Sequence, residues 1–453
     1  MAEEDFSSET LEKSQILRLN EDCLLRIFSH FDVVDLIDLE SVCQQFTNVI
    51  HREYKRHRQF DYKELVKQHG ENRMTLDLLN SIAERIGPNL QKVNLIKTWF
   101  SKPDDDVNSE FLAILQHCNH LEWLCFPHNF KPIFADETCQ NLLMETSERL
   151  KTVKMDHNSD NKIYKGSKFL MDDERAQFLL KATHLESLSL KKVDIHGTWF
   201  ESLPKLKEVI LTMCEMNSKQ QFLKFCKRQT TLEALELTSC NFFNDTYFEV
   251  ILEHLKSLKH LNITSDQRLH FENLRNISNL PQLTNIKILG IHPVEDLLEG
   301  LAERNILEHL TISESNMSLS EKDIKPLKKL QKLKSLTINL RYSIFYNFFS
   351  VLPTKMDALE DVAFLGDHRK SYPVICHLVE HYKSLKNIRL GVIPLDLVQK
   401  LKPIIEERPE ITFEFTDYQY TNSGNRTELI CCYPARSGVR TLQSAALQQR
   451  VNE

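Results

Sequence analysis

The stretch Leu232 to Phe242, LEALELTSCNF, constrains this chain most, because its apolar residues fall at Leu232, Leu235 and Leu237, followed by Cys240 and Phe242. The alternation from Leu235 to Leu237 fits a short strand with one buried face. A cysteine three residues later fits a turn whose interior accepts a small, weakly polar side chain. The frame returns 26 residues earlier as Leu206, Val209, Leu211, Cys214 and Met216, and 21 residues before that as Leu185, Leu188, Leu190, Val193 and Ile195. Three copies in register define an internal repeat.

Frames of this kind start at Leu90, Leu121, Leu150, Leu185, Leu206, Leu232, Leu258, Leu283, Leu307, Leu333, Leu359 and Leu385, which predicts twelve repeats. Spacings of 31, 29, 35 and 21 residues settle to 24–26 from Leu206 onward, so insertions stretch the early repeats. Ile411, Phe413 and Phe415 predict a last strand at the far edge. Between strands, Gln221 to Cys226, Tyr247 to Leu255, Val294 to Leu301 and Val374 to His381 are amphipathic at helical spacing. The pattern L-x-x-L-x-L-x-x-C-x-L is similar to the leucine-rich repeat. It implies an α/β fold, a curved solenoid with parallel strands inside and helices outside.

Composition limits function. Hydrophobic residues make up 41% and charged residues 27%, and no apolar run approaches the ~20 residues that span a bilayer. The acidic start MAEEDFSSET lacks the basic and apolar segments of a signal peptide, which predicts a cytoplasmic and/or nuclear protein. Eleven cysteines without a C-x-x-C pair agree with a reduced compartment. In such a compartment the sequons at Asn262 and Asn276 carry no glycan. A net charge of −7 offers nucleic acid no general attraction, and the basic run His51 to Arg58 reads as the solvated end of a helix.

Ahead of the repeats, residues 17–54 divide into three short helical patterns. Asn20 can cap the first, with Leu24, Ile27, Phe28 and Phe31 on one face; Asp35 is expected to open the second, with Leu36, Leu39, Val42 and Cys43 buried; Phe46 and Ile50 mark the third. Some forty residues barely bury a core of their own, so the apolar excess calls for a neighbour. The order Leu19, Asp22, Leu24, Leu25, Ile27, Phe28, Asp32, Asp35, Leu36, Val42, Cys43 and Phe46 resembles the F-box. Asn20 and Val33 stand where that pattern usually has proline, Phe31 where it has leucine, and Phe46 where it has tryptophan. The resemblance implies a three-helix module that binds the Skp adaptor, and through it cullin and RING subunits of a ubiquitin ligase. The residues it assigns to that contact are Leu19, Asn20, Leu24, Leu25, Ile27, Phe28, Leu36, Val42, Cys43 and Phe46.

The expected organisation is a flexible acidic N-terminus (1–16), the F-box (17–58), a helical linker and cap (59–89), the solenoid (90–415) and a C-terminal tail (416–453). The linker, Gln59 to Ile86, keeps a helical pattern around a break at Gly70, and would cover the open end of the solenoid. Two insertions, Lys97 to Ser109 with Trp99 and Phe100, and Asp156 to Lys168 with Tyr164, are expected as rim loops. The tail has no prenylation box.

No Gly-rich phosphate loop, G-x-S-x-G or H-E-x-x-H is present, which argues against an enzyme. His117, Cys118, His120, Cys125 and His128 cluster without a zinc spacing and read as packing and surface residues, so neither a metal nor a cofactor is expected. A central inner row is expected at Asn94, Cys125, Lys154, Ser189, Ile210, Glu236, Asn262, Lys287, Thr311, Thr337, Ala363 and Arg389. On or beside it Trp123, His260, Lys287, His309 and Arg389 are the candidates for holding a protein target. Two functions remain: a ligase receptor that raises the concentration of target lysines near a conjugating enzyme, or a repeat scaffold with no ligase. They divide at Leu19 to Phe46.

Overall fold

The computed structural model describes residues 15–96, 105–127, 134–156, 168–313, 321–340, 356–367, 372–392, 395–420 and 426–433. Most of both insertions, including Trp99, Phe100 and Tyr164, lies outside these residues, as does His128. Contacts group the chain into two compact units, Met1–Val193 and Asp194–Glu453.

The first unit opens with a 3-10 turn at Gln15–Arg18, two residues earlier than the expected start of order, followed by helices α1 (Glu21–Phe28), α2 (Val33–Glu40) and α3 (Gln44–Tyr54). Asn20 caps α1, its Oδ1 accepting from the Cys23 amide at 2.8 Å. The cap of α2 is Asp32, not Asp35: its Oδ1 accepts from the amides of Val34 and Asp35 at 2.9 and 3.0 Å. The helical expectation for Gln59 to Ile86 also needs correction. Strand β1 (Gln59–Asp61) precedes helices α4 (Tyr62–His69) and α5 (Leu76–Ile86). Phe60 is buried between exposed neighbours, an alternation too short for periodicity to reveal.

Strand β1 starts a parallel sheet continued by β2 (Lys92–Asn94), β3 (Trp123–Pro127), β4 (Thr152–Asp156) and, beyond the short β5 (Phe169–Met171), β6 (Ser187–Lys191). Each frame leucine lies two residues before its strand. Outer helices run over Asp105–Leu115, Glu137–Ser147 and Gln177–Lys181, so the acidic end of the first insertion begins a helix where a loop was expected. Phe126, Phe178, Phe134 and Phe169 fill the space behind the sheet, with ring centroids 5.3–6.2 Å apart along the chain of contacts.

The second unit carries β8 (Glu208–Thr212), β10 (Ala234–Thr238), β11 (His260–His270), β12 (Asn285–His292), β13 (His309–Ser313), β14 (Ser335–Leu340), β15 (Asp361–Asp367), β16 (Asn387–Val392) and β17 (Thr412–Tyr420), all parallel. The short β7 (Val193–Ile195) and β9 (Glu215–Met216) pair beside it. The register is that of the frame: Leu235, Leu261, Ile286, Leu310, Leu336, Val362 and Ile388 form one ladder and Leu237, Ile263, Ile288, Ile312, Ile338, Phe364 and Leu390 the next. All are at most 2% exposed. The expected closing strand is present, but it is not the last. Strand β18 (Arg426–Tyr433), in the stretch expected as a tail, pairs antiparallel with β17 from Phe413–Tyr433 to Tyr420–Arg426.

The turn after the strand explains the recurring cysteine. Met213 and Ser239, at equivalent places, have φ of 54° and 51°, and this left-handed step turns Cys214 and Cys240 back into the core. The Cys240 thiol then donates to the Leu211 carbonyl at 3.3 Å, one repeat away. A buried amide missed by the pattern does similar work: Gln229, fully buried, accepts from the Leu206 amide at 2.7 Å and donates to the Pro204 carbonyl at 2.8 Å.

Outer helices of this unit include Lys219–Arg228, Asp245–His254, Val294–Arg304 and Tyr372–His381, close to the four amphipathic stretches. Elsewhere the return is a 3-10 turn such as Leu274–Asn279. Gly300 is where that turn and its neighbouring helix meet: a Cβ there would stand 2.2 Å from the Arg275 carbonyl oxygen and 2.8 Å from Ile277 Cγ2. Gly300→Ala should therefore cost about 1–3 kcal/mol through overpacking. An exposed helical glycine would gain by the same change, so a urea midpoint equal to or above that of the unmutated chain would contradict this packing.

Candidate adaptor-docking and target-binding surfaces

The F-box-like residues fall into two sets. Leu24, Leu25, Phe28, Leu36 and Phe46 are at most 7% exposed, and Phe28 and Phe46 meet edge to face at 5.0 Å. They hold α1, α2 and α3 together. Leu19, Ile27 and Cys43 are half-buried, Asn20 is exposed, and Val42 is 61% exposed although expected among the buried residues of its helix. Val42 lies in the turn after α2, where no neighbour covers it. Phe31 at 39% and Ile16 at 38% are the other exposed large apolar residues of this module. Leu17, Ile37 and Leu39 are half-buried.

Ion pairs absent from the sequence reading fasten this module to α4, α5 and the turn between them. Glu40, near the C-terminal end of α2, takes bonds from Arg85 Nε at 2.7 Å, His51 Nε2 at 2.5 Å and the Tyr54 hydroxyl at 3.1 Å. Burial alone would raise the Glu40 carboxyl, but Arg85, His51 and Tyr54 together hold it below its ordinary value. Burial first, and then Glu40, push the Tyr54 phenol well above its ordinary value. His69 Nε2 meets Asp32 Oδ2 at 2.6 Å, and Arg73 pairs with Asp38. Arg73, His69 and Arg85 lie 35 to 45 residues from their carboxylate partners, so no local spacing announces them. Asp32, Asp35 and His69 offer ligand-type atoms within 4.8 Å of one another. The helix cap and the imidazole account for both oxygens of Asp32.

The sheet's exposed inner face is the second surface. In the first unit Asn94, Cys125 and Lys154 align in register, with half-buried Trp123 two residues before Cys125. Cys125 departs from the expected row by being only 1% exposed, and burial pushes its thiol up to about 12. Cys118 is likewise buried and pushed up to about 12, so neither is poised as a thiolate. Cys118 and Cys125 are free thiols, as are Cys139, Cys214, Cys226 and Cys240.

In the second unit one inner row runs Glu208, Ala234, His260, Asn285, His309, Ser335, Asp361 and Asn387, and the next Ile210, Glu236, Asn262, Lys287, Thr311, Thr337, Ala363 and Arg389. A cavity of about 320 Å³ opens across β8, β10, β11 and β12 and brings His260 and Lys287 together. His309 follows two strands from His260 in the first row. Arg389 is committed to Glu414 at 2.6 Å.

A parallel sheet of single-strand repeats, preceded by a three-helix module, defines a repeat solenoid with an N-terminal helical module. Residues 16–58 match the F-box domain family, so the chain carries an F-box followed by a leucine-rich-type solenoid. No curated protein matches the sequence. Among solved structures, the chain is similar to TLR13 in its complex with ssRNA13 (18% identity, TM-score 0.36, 70% of this chain and 50% of that one). It is also similar to the complex of Rad7 and Elc1 in yeast (14%, 0.37, 82% and 84%) and to InlJ from Listeria monocytogenes (12%, 0.35, 70% and 60%). The chain thus spans half the length of the TLR13 chain it matches.

The Glu40 network has a pH signature. A depressed carboxyl contributes stability that is complete above its unfolded-state pKa and is lost as pH falls through the lower folded-state value. Glu40→Gln should cost about 1–3 kcal/mol at neutral pH, as for a hydrogen bond to a charged group. The gap to the unmutated chain, read from urea unfolding, should narrow steadily as the solution is acidified below the usual carboxylate range. A gap independent of pH would mean that Glu40 acts only by its packing.

Proposed function

We propose that this chain is the substrate-recognition subunit of a Skp-cullin-F-box ubiquitin ligase. The F-box match over residues 16–58 carries this reading, because F-box domains serve as adaptor-binding modules of ubiquitin ligases and are generally non-catalytic. The exposed apolar residues Val42, Phe31 and Ile16 support it: three helices that have filled their own core still present large apolar side chains to solvent. Of the residues that the F-box resemblance assigns to the contact, Leu19, Asn20, Ile27 and Cys43 are exposed or half-buried, whereas Leu24, Leu25, Phe28, Leu36 and Phe46 are buried and hold the helices together. The solenoid holds the target protein, and Trp123, His260, Lys287, His309 and Arg389 are its proposed contacts.

The mechanism is proximity. The receptor performs no bond chemistry; it holds target lysines near a conjugating enzyme carried on the cullin and RING subunits, which raises their effective concentration. No cofactor enters this scheme. Among the described residues no helix is long and apolar enough to cross a membrane, and the proposed setting is cytoplasmic and/or nuclear. A repeat scaffold without a ligase is the alternative, and adaptor binding separates the two.

Exposed positions give the cleaner test, since Leu36→Asp would place a charge in a fully buried site and unfold the module. Val42→Asp combined with Phe31→Asp should weaken binding of the purified Skp adaptor at least tenfold, because a central apolar anchor contributes ~2 kcal/mol or more. The melting temperature of the chain alone should not change. Adaptor affinity equal to that of the unmutated chain, measured by calorimetry, would remove the proposed docking face.

A further inference from the structure

The cavity across β8, β10, β11 and β12 owes its shape to one small residue. Ala234 contributes a single methyl to an inner row in which its neighbours are Glu208 and His260. The floor formed there is walled by Glu236 on the next row and by Lys287 two strands on. Glu236, Asn262 and Lys287 are in register on β10, β11 and β12, so at about 4.8 Å per strand the carboxylate and the ammonium start about 10 Å apart. The amide between them is turned to its own strand, Asn262 Oδ1 accepting from the Thr264 hydroxyl at 3.0 Å.

Several charges elsewhere on this sheet are compensated by their neighbours. At the strand entries Lys259 pairs with Glu233 at 2.9 Å, Lys334 with Glu308 at 2.8 Å and Lys386 with Glu360 at 2.7 Å. On the inner face Arg389 pairs with Glu414, and Asp361 accepts from the Asn387 amide. Glu236 and Lys287 differ from these. Among the described residues, Glu236 takes only the hydroxyl of Thr238, at 3.1 Å, and Lys287 has no acceptor. One strand of separation keeps them from meeting each other. The cavity is therefore a slot with a negative side, Glu208 and Glu236, and a positive side, Lys287 beside His260.

Resting on the reading of the solenoid as the target-holding part, we propose that this slot is its specificity subsite. Its ligand is a peptide segment of the target that presents a basic and an acidic side chain about 10 Å apart. The basic group lies against Glu236, with Glu208 behind it; the acidic group takes hydrogen bonds from Lys287 and His260. Charge-assisted bonds at both ends fix orientation as well as register. A segment with the two charges exchanged meets like charge at each end and is rejected.

The test uses the full-length chain in complex with its adaptor, and a phage-displayed library of random dodecapeptides as the probe. Peptides enriched on the unmutated protein should share a Lys or Arg and an Asp or Glu at one fixed spacing. Synthetic copies should bind at least tenfold more weakly to Glu236→Gln and to Lys287→Gln. Copies with the two charges exchanged should fail on the unmutated protein and bind the double variant Glu236→Lys, Lys287→Glu, which keeps the net charge and alters only exposed or half-buried positions. Enrichment without such a pair, equal binding of the original peptides to the double variant, or no enrichment over it would overturn the proposal. Adaptor retention in the same samples reports the ligase reading separately, because Glu236 and Lys287 lie outside residues 16–58.

Discussion

The structure depends on a register. Each repeat supplies one short strand and a return segment, too little to bury its own leucines, so a repeat is stable only when its strand pairs in parallel with the next. That pairing places Leu235 on Leu261 and Leu237 on Ile263, and a slip of one residue would turn both ladders out to solvent. Everything exposed on the inner face inherits its position from this constraint. The rows containing His260 and Lys287 are straight because the leucines between them are stacked.

The same constraint explains the interior polar groups. A parallel stack also brings backbone carbonyls of one repeat against the buried side chains of the next. Cys240 answers one of them with its thiol and Gln229 answers another with its amide, each reaching across to the neighbouring repeat. Apolar side chains there would leave buried acceptors unpaired. The N-terminal module solves a different problem. Its three helices close over Phe28 and Phe46, and its attachment to α4, α5 and the turn between them includes ion pairs at Glu40, Asp32 and Asp38. A partly buried ionic joint orients its two sides more narrowly than an apolar contact, since each bond has a direction.

The two candidate surfaces are complementary in chemistry. The face around Val42 is apolar and belongs to residues left over from a filled core. The slot around Ala234 is polar, and its charges are kept apart by the strand between them. An apolar face suits a constant partner, whereas a slot with two fixed charges of opposite sign discriminates among partners.

By itself the sequence determined what is periodic: the frame leucines, the strands two residues after each, the recurrent cysteine turn, the cap at Asn20 and the F-box residues. These are local patterns, set by the alternation of a strand and the turn of a helix. It did not reveal β1 or β18, where three residues or an irregular composition carry no period. Nor could it separate Leu36, in the core, from Val42, in solvent, because both are apolar and only the packing of α1 and α3 decides which is covered. Pairs such as Glu40 with Arg85, the burial of Cys125, and the isolation of Glu236 from Lys287 belong to the tertiary structure alone. Each is fixed by which residues far apart in the chain become neighbours, and a one-dimensional pattern holds no record of that.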